Sequence, residues 1–289
     1  MRKSYPYMLL IPFMFLGTIF ALGVGNAFIQ SFGYIPAFGM EHITLKYYIE
    51  VFSNKELFAS IKLSFYIAFT SSVIAVIIGV FLCAIIINTK SMNSKIMNLV
   101  KMPVLVPHTI AAFFVILFFS QSGLFSRLSY WLGIIESPEQ FPMILFSKNS
   151  IGIIIGYLWK EIPFVAYFII AFMSNISETL GEASENLGAS KIKTFFYVTL
   201  PLSMPVINKV FLIIFAFSFG AYELPFLLGS TVPKALPVQA YIEYIHPDLK
   251  HRAYAMALNG IILIITLFIS GLYYMISKKV ERIDGKHHE

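Results

Sequence analysis

Charge is what this chain has least of. Only 12% of its 289 residues are Asp, Glu, Lys or Arg, against 58% hydrophobic, and the mean hydropathy is +0.78. A soluble particle of this length needs more polar surface to coat itself, so water is excluded as the main solvent. Cysteine is nearly missing: Cys83 is the single one, which excludes an intrachain disulfide, and it lies in an apolar run where nothing points to thiol chemistry or a cysteine-based metal site. The Gly-x-x-x-x-Gly-Lys-Ser/Thr run that cradles nucleotide phosphates does not occur. Nor is there a cluster of His, Asp and Glu near one interface, as a membrane enzyme would need. The excess of 21 basic over 15 acidic side chains, a formal +6, forms no basic stripe with interleaved aromatics, so nucleic acid is not an expected partner.

What the chain does have is apolar runs of about 20 residues, each long enough to cross roughly 30 Å of hydrocarbon as a helix. They fall near residues 7–30, 63–87, 104–121, 151–173, 206–228 and 255–276. A β-barrel needs short segments alternating in and out, whereas these runs are apolar on every face. The expected fold is therefore all-α, a polytopic membrane protein with about six transmembrane helices, and residues 1–289 read as a single transmembrane domain with a core over 57–276. The N-terminus, Met1-Arg2-Lys3 before an apolar stretch, resembles a signal peptide without a convincing cleavage site and is read as a retained span. The third run is broken by Pro103 at its edge and Pro107 within it, which predict a kink or an earlier start.

Basic residues near the span ends are unevenly shared. One side collects Arg2, Lys3, Lys90, Lys95, Lys101, Lys191, Lys193, Lys278, Lys279, Arg282 and Lys286, while the longer opposite loops carry fewer. The richer side is expected to be cytoplasmic, with both termini on it, in a bacterial-type plasma membrane. Small residues form ridges at intervals of four, Gly17-Ala21-Gly25 and Gly152-Gly156; these mark either close helix packing or the ordinary composition of membrane helices.

Residues 175–202, between the fourth and fifth runs, carry the most information. Ile176, Leu180, Ala183 and Leu187 share one helical face, with Glu178, Glu182 and Glu185 elsewhere. Thr179 and Glu182 fit a capping box that starts a helix, and Gly188 supplies a stop before Lys191 and Lys193. A helix of two or three turns is marginal alone and needs something to pack against. A membrane surface favours Lys and Arg on the polar face; glutamates favour a protein groove.

The run Glu182-Ala183-Ser184, then Gly188, then Phe195, Val198, Leu200 and Pro201, resembles the "EAA" loop of permease subunits from binding-protein-dependent ABC importers, whose pattern is Glu-Ala-Ala, three residues, Gly, and about nine residues later Ile-x-Leu-Pro. Ser184 and Val198 depart mildly from it. Trp159-Lys160-Glu161-Ile162-Pro163-Phe164 is similar to the Trp-x-x-x-Pro-Phe often found just before that loop, and the likeness covers about residues 57–276. It implies a type I importer permease, a MetI-like fold. Glu182, Ala183, Ser184, Leu187 and Gly188 would then contact a cytoplasmic ABC ATPase dimer, with Leu200 and Pro201 turning the chain back into the membrane. ATP and Mg would be bound by that partner, and this chain, with no cofactor and no metal of its own, would be no enzyme. A second permease subunit, related or identical, an extracytoplasmic substrate-binding protein facing residues 231–250, and membrane lipids complete the implied partners.

Ionisable residues inside apolar spans are costly and are functional hypotheses by default. Lys160, Glu161, Tyr222 and Glu223 are the candidate substrate path; Lys209 is read as snorkelling to the interface and His108 as a packing residue. The stretch 220–229, with Ala235-Leu236-Pro237-Val238, looks most like permeases of the spermidine/putrescine branch, so the cargo implied is a polyamine or another small cation. A secondary transporter driven by an ion gradient is the competing reading, with Glu161 and Glu223 as its coupling carboxylates.

Overall fold

A computed structural model describes residues 5–89 and 94–285. Arg2, Lys3, Lys90 and Lys286, counted above for orientation, lie outside the described residues. The described chain is helical with no strand, carrying α1 (Tyr5–Ser31), α2 (Lys46–Ser53), α3 (Lys55–Asn88), α4 (Ser94–Leu105), α5 (His108–Phe119), α6 (Leu124–Trp131) and α7 (Ile151–Ile176). Next come α8 (Glu182–Asn186), α9 (Lys191–Thr194), α10 (Leu200–Gly220), α11 (Glu223–Leu228), α12 (Leu236–Tyr244) and α13 (His251–Gly285). Six helical stretches among the described residues are long and apolar enough to cross a membrane: Leu10–Ser31, Lys55–Ile87, His108–Trp131, Ile151–Asn186, Lys191–Gly220 and His251–Met275. That number was expected, but several of the boundaries were not.

The fifth run, expected over 206–228, ends early. α10 stops at Gly220, Ala221 is extended (φ −76°, ψ 138°), and the chain restarts as the short α11. The cause is Pro225: in an unbroken helix its ring would strike the carbonyl of residue 221 four positions back, so the break falls there. Pro225 then sits in the first turn of α11, where a missing N–H costs nothing. The third run breaks for the same reason at one proline and not the other. Pro103 lies inside α4, whereas Pro107 is the extended N-cap of α5 (φ −56°, ψ 146°).

The chain divides into two compact units, Met1–Ala59 with Leu236–Ile265, and Ser60–Ala235 with Thr266–Glu289. In the second, Ala75, Cys83 and Ile86 of α3 pack with Val165, Ile169 and Met173 of α7 and with Ile207, Val210 and Ile214 of α10. Gly79 permits this: a Cβ there would lie 2.7 Å from the Val165 side chain and 3.1 Å from the Ile162 carbonyl. A neighbouring cluster joins Ile67, Ala111, Val115, Tyr157, Leu224 and Leu228. The Gly152-Gly156 ridge is a true close approach, with Leu145 packed on Gly152 and Leu224 on Gly156. Gly17 and Gly25, by contrast, have nothing within 4 Å of where a Cβ would sit.

In the first unit, the Tyr48 hydroxyl donates to Ser31 Oγ at 2.7 Å and lies against Gly260, where a Cβ would strike it. The Tyr254 hydroxyl donates to the Glu50 carboxylate, and His251 Nδ1 pairs with Glu243 Oε2 at 2.6 Å. Glu50, Glu243, His251 and Tyr254 line a cleft of about 570 Å³ within this unit.

Candidate functional site

Two features of the second unit hold the residues singled out by sequence: a helical hairpin between the fourth and fifth spans, and a polar cluster at the two helix breaks.

The hairpin is not the separate short helix expected. α7 passes through a π-helical turn, Ser177–Gly181, into α8 without interruption, giving 36 continuous helical residues from Ile151 to Asn186. Thr179 therefore starts nothing: its hydroxyl bonds back to the Asn175 carbonyl at 2.8 Å, so the capping box does not form. The returning arm is also continuous, α9 running through a second π-helical turn, Phe195–Thr199, into α10. Leu200 and Pro201 accordingly do not turn the chain back. Pro201 lies in the first turn of α10, and the widened turn before it accommodates a residue that has no N–H to give.

The reversal is made at Leu187–Ser190, and Gly188 was correctly placed as the stop. It takes φ +94°, its N–H bonds to the Glu185 carbonyl at 2.9 Å, and Ala189 N–H bonds to the Ser184 carbonyl at 3.1 Å. These are the two bonds of a Schellman C-cap, which favours glycine. Ser190 then caps α9 by accepting from Lys193 N–H.

At about 1.5 Å per residue the two arms are roughly 54 Å and 45 Å long, well beyond the ~30 Å of a hydrocarbon core. Their hairpin end carries Glu178, Glu182, Glu185, Lys191 and Lys193, charges that an apolar span disfavours. Leu180 and Leu187 are 51% and 91% exposed there, and Tyr197 is 81% exposed; Glu182, Ala183 and Gly188 are exposed beside them. Ser184 points inward instead, with its hydroxyl 2.7 Å from Thr194 Oγ1 on the other arm. Sequence reading took Ser184 for a mild departure and missed Thr194, its buried partner.

Lys160 and Glu161, on successive positions of α7, are both buried and serve different helices. The Lys160 ammonium donates to the carbonyls of Pro103 (3.3 Å), Val104 (3.4 Å) and Val106. The Glu161 carboxylate accepts from Ser218 Oγ, with Ser71 beside it, and its Oε2 has no donor. One turn earlier, the Tyr157 hydroxyl donates to the Ser218 carbonyl at 3.3 Å. Tyr222 is half-buried and stacks on Phe226 at 4.8 Å, while Glu223 is exposed at the start of α11. His108, at the start of α5, packs on Phe217 at 5.0 Å. The four candidate path residues thus gather around the two breaks, together with Tyr157, Ser218 and His108. Beside them, Phe114, Phe118, Phe125 and Trp159 line an apolar cleft of about 330 Å³. No group of three or more His, Cys, Asp or Glu fit to hold a metal occurs among the described residues.

Comparison with known proteins places this geometry. Over 114 residues, 39% of the chain, it is 30% identical to the spermidine/putrescine transport system permease protein PotB of Escherichia coli, a match that takes in only 40% of PotB's length. It is 25% identical over 280 residues to the probable ABC transporter permease protein YurN of Bacillus subtilis, covering 93% of this chain and 94% of YurN. Two crystal structures share the fold at 20% identity. One is of a bacterial ABC transporter that imports the acidic polysaccharide alginate, with a TM-score of 0.73 over 95% of this chain and 96% of that one. The other is of such a transporter in complex with an alginate pentasaccharide-bound periplasmic protein, with a TM-score of 0.75 over 96% of each chain. These relatives are transport components, not enzymes. The family model described as binding-protein-dependent transport system inner membrane component matches residues 75–282, and with six apolar helices around that match the chain belongs to this family, the multi-pass permease subunits of ABC transporters.

Proposed function

We propose that this chain is the substrate path and force-transmitting half of an ATP-driven importer, in which the hairpin over 175–202 seats in a cleft of a cytoplasmic ABC ATPase dimer. The observation that carries this reading is the hairpin itself: an acidic, glycine-capped tip with Leu187 and Tyr197 exposed, built as the direct extension of two spans. A push on such a tip reaches the membrane without an intervening loop. ATP and Mg belong to the ATPase, both termini lie on the ATPase side, and residues 1–289 work as one transmembrane domain beside a second permease subunit, related or identical. An extracytoplasmic binding protein delivers cargo to the opposite face of a bacterial-type plasma membrane.

The cargo in this reading is a polyamine or another small cation. The local likeness to PotB supports it, as does the exposed Glu223 carboxylate next to Tyr222 at the break between α10 and α11. Proteoliposomes holding this permease, its mate and the ATPase, given ATP inside and the loaded binding protein outside, should accumulate labelled spermidine or putrescine. Uptake that proceeds without ATP would sink the importer reading; ATP-driven uptake of an anion or a sugar with no response to polyamines would sink the cargo alone.

A further inference from the structure

The two span breaks are capped from one place. Within α4 and α5, Pro107 offers no N–H to the Pro103 carbonyl four residues before it, and the break at Val106 leaves the neighbouring carbonyls without helical donors. At the edge of an apolar span such carbonyls are costly unless a protein group donates to them. Lys160 does, donating to Pro103, Val104 and Val106 at once. At the other break, α10 ends at Gly220, so the Ser218 carbonyl loses the N–H of Tyr222, and Tyr157 supplies a hydroxyl in its place. Glu161 holds the side chain of the same serine. Tyr157, Lys160 and Glu161 occupy a single turn of α7. That turn therefore pins the C-terminal ends of two interrupted helices, beyond which the chain resumes at His108 and at Glu223.

We infer that Lys160 is a positioning residue for transport: it stabilises the interruption at Val106–Pro107 that sets His108 and α5 against α11, and it does not itself bind cargo. A cation in an apolar span and a row of carbonyls without donors are each costly alone, and each removes the other's cost. The same contacts explain why adjacent residues on α7 carry opposite charges without pairing.

The inference rests on the permease reading for its transport arm and is independent of it for its stability arm. Cys83 is fully buried and is the chain's single cysteine, so thiol labelling of the purified permease on heating reports unfolding without any partner. Four forms are compared: wild type, Lys160→Met, Lys160→Arg, and Lys160→Met combined with Pro107→Ala, which returns an N–H donor to the Pro103 carbonyl. Lys160→Met should expose Cys83 at a lower temperature and cut ATP-driven uptake about ten-fold or more, as expected when buried acceptors lose a charged donor. Lys160→Arg should keep both near wild type. The double variant should recover the labelling temperature but not uptake, because the interruption has been closed. Lys160→Met labelling like wild type would overturn the inference. So would a double variant no more stable than Lys160→Met, an Lys160→Arg form as impaired as Lys160→Met, or an Lys160→Met form whose KM rises at unchanged maximal rate. If the wild-type proteoliposomes take up cargo without ATP, the importer reading fails, and the labelling series still decides the role of Lys160.

Discussion

Ser184 and Thr194 face each other across the hairpin with their hydroxyl oxygens 2.7 Å apart, and Ser184 also donates to the Gly181 carbonyl at 2.9 Å. The hydroxyl that departs from the Glu-Ala-Ala pattern is thus the tie between the outgoing and returning arms. Ser184→Ala should cost about 1 kcal/mol, the net worth of a part-buried hydrogen bond. Seating on the ATPase should persist while more ATP is hydrolysed per cargo imported; an unchanged ratio in proteoliposomes would mean that the tie does not transmit force.

Gly188 holds the tip in a conformation with φ +94° that side chains rarely adopt. Gly188→Val should strain the turn by about 1 to 2 kcal/mol and loosen the ATPase, leaving membrane insertion intact. Co-purification reads this directly, and undiminished recovery of the ATPase together with normal uptake would count against the coupling role.

Leu187 is 91% exposed and supports nothing inside its own chain. Leu187→Asp is therefore expected to leave the permease as stable as wild type, as exposed substitutions do within about 0.5 kcal/mol, while abolishing capture of the ATPase. A variant that still binds the ATPase would place the contact elsewhere on the hairpin.

Glu223 stands exposed at the start of α11. Glu223→Gln should raise KM for a polyamine about ten-fold, the effect of removing a charged hydrogen-bond partner, with ATPase association unchanged. Kinetics indistinguishable from wild type would remove Glu223 from the path.

Gly79 lets α3 lie against α7, where a Cβ would meet Val165 at 2.7 Å. Gly79→Leu should force the helices apart at a cost of about 1 to 3 kcal/mol, seen as earlier thermal labelling of Cys83 in the same packed cluster. A labelling curve equal to that of wild type would mean that the two helices separate freely.

Length and apolarity were enough to place six spans, because a helix in lipid must satisfy its own backbone and so advertises itself as one long run. The glycine stop at 188 was legible because only one residue type suits that turn. The capping box at Thr179 misled: Thr179 and Glu182 match its spacing, but a box forms only where a helix begins, and here the fourth span runs on without a break to Asn186. The breaks at 107 and 221 were half-legible. Pro107 and Pro225 each forbid a carbonyl four residues earlier, yet Pro103, Pro163 and Pro205 lie inside helices that continue, so the proline alone does not say which site yields. The spacing Tyr157, Lys160, Glu161 marks one helical turn, but its partners at 103–106 and 218 lie more than 50 residues away, and no local pattern announces them. Ser184 reads as an ATPase contact by resemblance to the Glu-Ala-Ala pattern, whereas its hydroxyl meets Thr194 on the other arm, ten residues away, where that pattern has no partner to offer.

The helix α1 begins well before the family match starts at residue 75, and from Leu10 to Gln30 none of its side chains is buried. Among the described residues few contacts read the identity of that stretch, Phe28 edge-on to Phe32 at 5.2 Å being one, so greasiness and length are the main constraints left on it. Exchanging that stretch for an unrelated apolar segment of equal length should leave the packing of Cys83, Val165 and Val210 untouched, which makes it the part of this permease where substitutions can accumulate with least consequence for the fold.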